Sequence, residues 1–272
     1  EMFVATQNKG LLTIRKENGV YNIIQSHQDI FQKNALLYDE LNKLMWDKNG
    51  VIWVASQRGL SCFDPENRGF LGVGPSGNLK QGIPSPSVWG FAEDPKAKSL
   101  FVASDFAVSH LNRETGEFEQ YYIAKGSGKN ETTILSICYV NDHQLLVGCT
   151  DGTYLLEFFG PMYKIKKIQL KKIDNPGAFT RVYRIAHYKG DKFFLATKSG
   201  VLLYDIKTNV VVPFVADPKK PSKSISPGIC RVAYKGLDGT MYFATSAGGL
   251  YYLNDKKGDP LIVPHKWNNK IL

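Results

Sequence analysis

Apolar and polar positions alternate along this chain in a unit that recurs six times. A four-residue apolar run, rich in Phe, Val, Leu and Trp, ends at one small residue. A short polar link and usually a glycine follow, then a second apolar-patterned stretch closing on Asp or Asn. Gly50 to Asp64, GVIWVASQRGLSCFD, is the clearest copy. Aligned on the small residue, the copies place Thr6, Ser56, Ser104, Cys149, Thr197 and Thr245 in one column, at intervals of 50, 48, 45, 48 and 48 residues. Continuous apolar runs of this length suit strands covered on both faces. Glycine at Gly10, Gly59, Gly152, Gly200 and Gly248 or Gly249 suits a hairpin that needs positive φ. The third copy has Ala107 in that place and predicts a turn of different geometry.

About fourteen residues before each small residue lies another extended stretch, such as LNKLMWD or RVYRIAHY, and a fourth follows the second strand, as in FEQYYI. Four antiparallel strands per 45–50 residues predict an all-β chain, a β-propeller of about six four-stranded blades. A β-sandwich also gives short strands with turn punctuation, but not six copies in one register. The blade units fall near 1–40, 41–86, 87–131, 132–178, 179–226 and 227–272. The first copy lacks its innermost strand. LIVPHKW (261–267) reads as an outer strand. The final NNKIL either completes the first blade and closes a six-bladed ring, or the chain is part of a longer propeller array.

The chain has 272 residues, 43% of them hydrophobic, and a formal charge of +9. That balance favours encounter with anionic partners without specifying one. No apolar window is long enough to span a membrane, and no signal peptide is visible. Cys62, Cys138, Cys149 and Cys230 have no metal-ligand spacing; Cys138 and Cys149 would face each other if they flank a hairpin at 141–144. Five scattered histidines carry no HxxH or HExxH pattern, and neither a nucleophile elbow nor a phosphate loop is present. No catalytic residue, metal ligand or cofactor is therefore assigned, although propeller enzymes can draw such groups from separate blades.

The run Asp47-x-x-Gly50-x-Ile52-Trp53-Val54-Ala55-Ser56-x-x-Gly59-Leu60, ending Phe63-Asp64, resembles the two-component regulator propeller repeat. That repeat occurs in extracytoplasmic sensor regions of hybrid two-component regulators of Bacteroides-type bacteria. The other copies are degenerate, with Leu146, Phe194 and Tyr242 near the tryptophan position. The resemblance implies a non-catalytic periplasmic sensor of oligosaccharides, often with a second propeller, and a dimeric receptor. Its membrane segment and histidine kinase half lie outside this chain. The repeat's motif residues are structural, so no ligand contact carries over from them.

Propellers bind ligands where the inner strands begin and the middle hairpins turn. One column of the inner strands reads Lys43, Gly90, Ser136, Arg184 and Arg231, followed by apolar Leu44, Phe91, Ile137, Ile185 and Val232. Alternation would bury the apolar set between blades and leave Lys43, Arg184 and Arg231 as a cationic mouth for carboxylate or sulfate groups. Trp89 and Tyr183 precede two of these positions and would suit sugar stacking. The hairpin tips add Arg58, in Gln57-Arg58, Phe106, in Asp105-Phe106, and Lys198-Ser199. Phe106 is an aromatic on a turn with no evident core purpose. The basic run YKIKKIQLKK (163–172) reads as an outer strand guarded by lysine, and DPKKPSK (217–223) as a loop. The expected partner is an oligosaccharide or other small ligand, with nucleic acid excluded. The alternative functions are a protein-interaction or dimerisation scaffold and, third, a propeller lyase or hydrolase.

Overall fold

The computed structural model describes residues 1–29, 34–66, 69–123, 132–170, 173, 176–214, 225, 228–246, 249–254 and 261–264. NNKIL and DPKKPSK lie outside them. Strands pair with their chain neighbours in six small antiparallel sheets, the first of three strands and the others of four. The fold is an all-β, six-bladed β-propeller. The first blade is β1 (Met2–Ala5), β2 (Leu11–Glu17) and β3 (Val20–Ser26). The second is β4 (Leu41–Trp46), β5 (Ile52–Ser56), β6 (Gly59–Phe63) and β7 (Phe70–Val73). The third is β8 (Val88–Glu93), β9 (Ser99–Ser104), β10 (Ala107–Asn112) and β11 (Phe118–Tyr122). The fourth is β12 (Ile134–Asn141), β13 (Gln144–Cys149), β14 (Gly152–Phe159) and β15 (Met162–Lys167). The fifth is β16 (Val182–Lys189), β17 (Lys192–Thr197), β18 (Gly200–Asp205) and β19 (Val210–Pro213). The sixth is β20 (Cys230–Lys235), β21 (Met241–Thr245), β22 (Gly249–Asn254) and β23 (Leu261–Pro264). The chain divides into two compact units, one of Glu1–His143 with Phe158–Tyr163, the other of Gln144–Glu157 with Lys164–Leu272.

In the first unit, β5 shows what the apolar runs are for. All five of its residues are buried. Ile52 and Val54 point one way, into a cluster with Leu11, Phe63 and Phe70. Trp53 and Ala55 point the other way, into a cluster with Phe91, Leu100, Val102 and Phe118. A strand of period two can be apolar throughout only when both of its faces are covered. In the second unit, Phe194 and Ala196 of β17 join Ala233, Met241, Phe243 and Leu253 of the sixth blade. There the Phe194 and Phe243 rings meet edge-on, with centroids 5.0 Å apart at 88°. This T-shaped arrangement favours aromatic pairs.

The recurring small residue has a chemical reason. In five blades its hydroxyl closes the hairpin behind it. Thr6 Oγ1 donates to the Gly10 carbonyl (2.8 Å), Ser56 Oγ to Gly59 (2.9 Å) and Ser104 Oγ to Ala107 (3.1 Å). Thr197 Oγ1 donates to Gly200 (2.8 Å) and Thr245 Oγ1 to Gly249 (3.1 Å). The exception is Cys149, a buried free thiol whose pKa burial raises. All four cysteines are free, so no bridge joins Cys138 to Cys149. Gly59 has a φ of 138°, and a Cβ there would sit 2.7 Å from the Val73 carbonyl oxygen. Ala107 is outside the positive-φ region, as its missing glycine predicts.

The residues that carry the repeat resemblance lock a turn. Asp47 Oδ1 accepts the backbone N–H groups of Asn49 and Val51, each at 2.9 Å, and its Oδ2 accepts the Trp53 indole N–H at 2.7 Å. Gly50 takes a φ of 85° inside that turn. From the third blade, Arg113 reaches over to donate to Asp47 Oδ2 (2.8 Å) and to Glu93 Oε1 (2.7 Å). The Asp47 side chain is 1% exposed and that of Arg113 13%. The cation thus compensates two carboxylates that burial would otherwise penalise.

Two stability measurements check these assignments by denaturant unfolding. Arg113→Met strands two carboxylates and is expected to cost about 3–5 kcal/mol. Thr197→Ala is expected to cost about 1 kcal/mol, and Thr197→Ser to restore most of it.

Candidate functional site

The inner strands carry a feature that the sequence did not announce. The pairing register slips by one residue near the start of β4, β8, β16 and β20. The extra residues are Asn42, Trp89, Tyr183 and Arg231. Each bulge lies opposite the end of the next strand, where the middle hairpin turns, because Leu41 pairs with Ser56, Val88 with Ser104, Val182 with Thr197 and Cys230 with Thr245. A bulge bends its strand and re-aims a side chain, a device common beside binding sites.

The bulges correct the column read from sequence. Lys43, Gly90 and Arg184 do occupy equivalent positions, paired with Ala55, Ala103 and Ala196. Arg231 does not: it is itself the bulged residue, equivalent to Asn42, Trp89 and Tyr183. The position after it is Val232, which is 39% exposed rather than packed between blades. Ala233, 1% exposed, takes the buried place.

In the second unit, the bulge residues of consecutive blades touch. The Arg231 guanidinium lies over the Tyr183 ring, 4.4 Å from its centroid, and Arg181 approaches the same ring at 5.8 Å. Arg231 and Arg181 are exposed, and Tyr183 and Arg184 are half-buried. A cation over an aromatic face is held in place while its N–H fork stays open to an acceptor. The tip Lys198-Ser199 is anchored beside them: the Lys198 N–H donates to the Arg181 carbonyl (3.1 Å) and Ser199 Oγ to the Ala178 carbonyl (2.8 Å).

In the first unit, the same end is stitched by polar groups. Gln57 Nε2 donates to Asn42 Oδ1 (3.3 Å), and Asn42 Nδ2 to the Val88 carbonyl (2.7 Å). Trp89 is half-buried, its indole N–H donated to Asp105 Oδ1 at 2.9 Å, while Ser85 Oγ donates to the other Asp105 oxygen. Phe106 is half-buried and stacks on Tyr122, with centroids 6.1 Å apart and planes 13° off parallel. Its purpose on the turn is this packing. Arg58 is exposed with its guanidinium 4.7 Å from the Tyr38 ring centroid. Lys43 is half-buried on β4. Arg181, Asn42 and Ser85 were missed as members of this end; Asn42 comes into line with Trp89 and Tyr183 only through the slipped register.

Among the described residues, no group of three or more His, Cys, Asp or Glu side chains could hold a metal ion, and no helix is long and apolar enough to cross a membrane.

No known protein family's sequence pattern matches the chain. No curated protein matches it either. Solved structures do. The chain is similar to the extracellular domain assigned to a hybrid two-component system of B. thetaiotaomicron, with a TM-score of 0.74 at 18% identity. The match covers 98% of this chain and 34% of that one. A second extracellular domain from the same organism, assigned to a one-component system, gives 0.55 at 15% identity with the same coverages. The β-propeller domain of Cps50 (Swd1) from Myceliophteria thermophila gives 0.61 at 12%, over 78% of this chain and 64% of that one. At these identities the likeness is one of fold. The chain spans about a third of the length of the bacterial domains it resembles.

Asp105→Ala removes the acceptor that Trp89 and Ser85 share. A red-shifted tryptophan emission is expected, and the difference from the parent should vanish in a Trp89→Phe background.

Proposed function

We propose that this chain is the ligand-sensing propeller of an extracytoplasmic receptor region belonging to a hybrid two-component regulator. It binds an oligosaccharide bearing carboxylate or sulfate groups and signals to a kinase region outside this chain. The structural likeness to extracellular domains assigned to hybrid two-component systems supports the class and the extracytoplasmic location. The ligand reading rests on one observation, the Arg231 guanidinium held 4.4 Å from the Tyr183 ring centroid at the hairpin end of the second unit. Arg181 approaches the same ring at 5.8 Å. Arginine pairs with carboxylate and sulfate through two parallel N–H···O bonds, which lysine cannot match. A formal charge of +9 steers anionic ligands to the surface. The region does no chemistry in this reading: it binds, and the receptor works as a dimer.

Calorimetric titration with sulfated and uronate-containing disaccharides, beside their uncharged counterparts, tests this. Binding is expected for at least one acidic sugar, weakening as salt rises. Arg231→Ala should weaken it by about tenfold or more, the equivalent of about 1.4 kcal/mol. Binding of uncharged sugars alone, or an affinity indifferent to Arg231→Ala, would overturn the assignment.

A further inference from the structure

Strand β3, Val20–Ser26, ends the first sheet and pairs with a strand along one edge only. The turn before it fixes which backbone groups face the other edge. Asn18 and Gly19 take φ of 50° and 83°, the two left-handed positions of a two-residue hairpin loop, and Glu17 pairs with Val20 across it. The pair flanking such a loop is hydrogen-bonded, and hydrogen-bonded pairs recur at every second residue. Val20, Asn22 and Ile24 therefore turn their N–H and C=O groups to β2, and Tyr21, Ile23 and Gln25 turn theirs outward.

Proteins guard such edges with charge, proline or interrupted strands. The outer strands of the other blades follow that rule. β7 contains Gly72, β11 Glu119, β15 Lys164, Lys166 and Lys167, β19 Pro213 and β23 Pro264. β3, VYNIIQS, has no charge, proline or glycine, and its first six residues are all exposed. Val20 is 62% exposed, Tyr21 66%, Ile23 64% and Ile24 41%. Lys16, the β2 neighbour of Tyr21, holds its Nζ 5.5 Å from that ring's centroid, over a face of the sheet rather than across its edge. A contiguous exposed apolar patch of this kind marks an interaction surface.

The order of the side chains says what fits it. Val20-Tyr21-Asn22-Ile23-Ile24 has the same pattern from either end: two apolar residues, one polar, two apolar. An antiparallel strand of the same sequence, related by a two-fold axis at Asn22, sets Tyr21 opposite Ile23 and Val20 opposite Ile24 on both sides of that axis. Tyr21 and Ile23 are also residues whose backbone groups point outward, so each such pair exchanges both its N–H···O bonds. Aromatic and β-branched residues in direct opposition are favourable cross-strand pairs. At the axis Asn22 meets its own copy. Its Nδ2 donates to Glu17 at 3.0 Å, which orients the amide and leaves a second N–H for the facing carbonyl. The neighbouring registers would set Asn22 against an apolar residue instead.

We infer that β3 of the first blade is a dimerisation edge, to which a second copy of this chain adds its own β3 around a two-fold axis at Asn22. This gives the dimer of the proposed receptor a contact surface, and rests on that reading only in supposing that the receptor pairs; no ligand is needed for it. Stable interfaces bury about 1,200–2,000 Å² in total, more than two short strands supply, so the free chains pair weakly, with a dissociation constant on the order of 0.1 mM. Each copy carries a formal charge of +9 while the contact itself is uncharged. Salt therefore screens repulsion and strengthens the pairing, the reverse of its expected effect on an acidic ligand.

Analytical ultracentrifugation of the whole chain across concentration, at low and high salt, tests this together with cysteine cross-linking. A monomer–dimer equilibrium is expected, tighter at high salt. Ile23→Lys, a change at an exposed side chain, should weaken it by about tenfold or more with the thermal midpoint unaltered, and Ile23→Val should leave it near the parent. Asn22→Cys places two thiols on the axis, where opposed Cα atoms lie about 4.5 Å apart, within disulfide reach. Val20→Cys, equally exposed, places them four residues apart along the strands, roughly 13 Å, beyond reach. Mild oxidation should therefore give a covalent dimer with Asn22→Cys and no more than the parent's background with Val20→Cys. A chain that stays monomeric at every concentration, whether its β3 edge is free or held by another segment, would overturn the inference. So would association that Ile23→Lys leaves intact, or equal bridging by the two cysteine variants.

Discussion

Everything in this chain follows from strands that must be covered on both faces. β5 is buried from end to end, and β9, β13 and β17 are buried at five of six positions each. No single sheet can cover its own two faces, so each blade is stable only between neighbours. Ile52 and Val54 commit β5 to one neighbour, and Trp53 and Ala55 to the other. A slip of one residue would exchange the two sets, and with both faces packed that exchange is costly. The middle strands are therefore fixed in register, and variation is left to the strand ends, the turns and the bulges.

The ligand site proposed above uses that division. The Ser or Thr hydroxyl that closes five of the hairpins ends the rigid strand. Just beyond it, the bulges release Asn42, Trp89, Tyr183 and Arg231 from the alternation that governs the rest. At the other end, Asp47, Trp53, Glu93 and Arg113 consume their polar groups on one another. Asp94, 7% exposed, repeats the Asp47 turn lock in the third blade by accepting the Ser99 N–H at 3.0 Å. Ends occupied by such internal bonds leave little to offer a ligand. The hairpin end instead carries exposed arginines over aromatic rings.

The fold was legible in the sequence because its determinants are local and repeated. The apolar run, the hydroxyl residue and the turn glycine are adjacent in sequence, and six copies average out the degeneracies. One exception was readable, since Ala107 marked a turn of different geometry; that the small residue closes the hairpin through a hydroxyl, which Cys149 lacks, emerged only from the structure. The candidate site was legible only in outline. A bulge adds one residue without a composition signal, so Arg231 was aligned with Lys43 and Arg184 when it stands with Tyr183. Phe106 looked unemployed because its partner, Tyr122, enters from a strand sixteen residues later.

The central claim is that the hairpin end, and not the turn-lock end, is where this propeller meets its ligand. Amide hydrogen exchange, compared with and without a bound acidic oligosaccharide, tests it most directly. The account predicts slowed exchange at the starts of β16 and β20 and at the Lys198-Ser199 tip, with the Asp47 and Asp94 turns unchanged. Slowing confined to those turns, or to the outer strands, would contradict it.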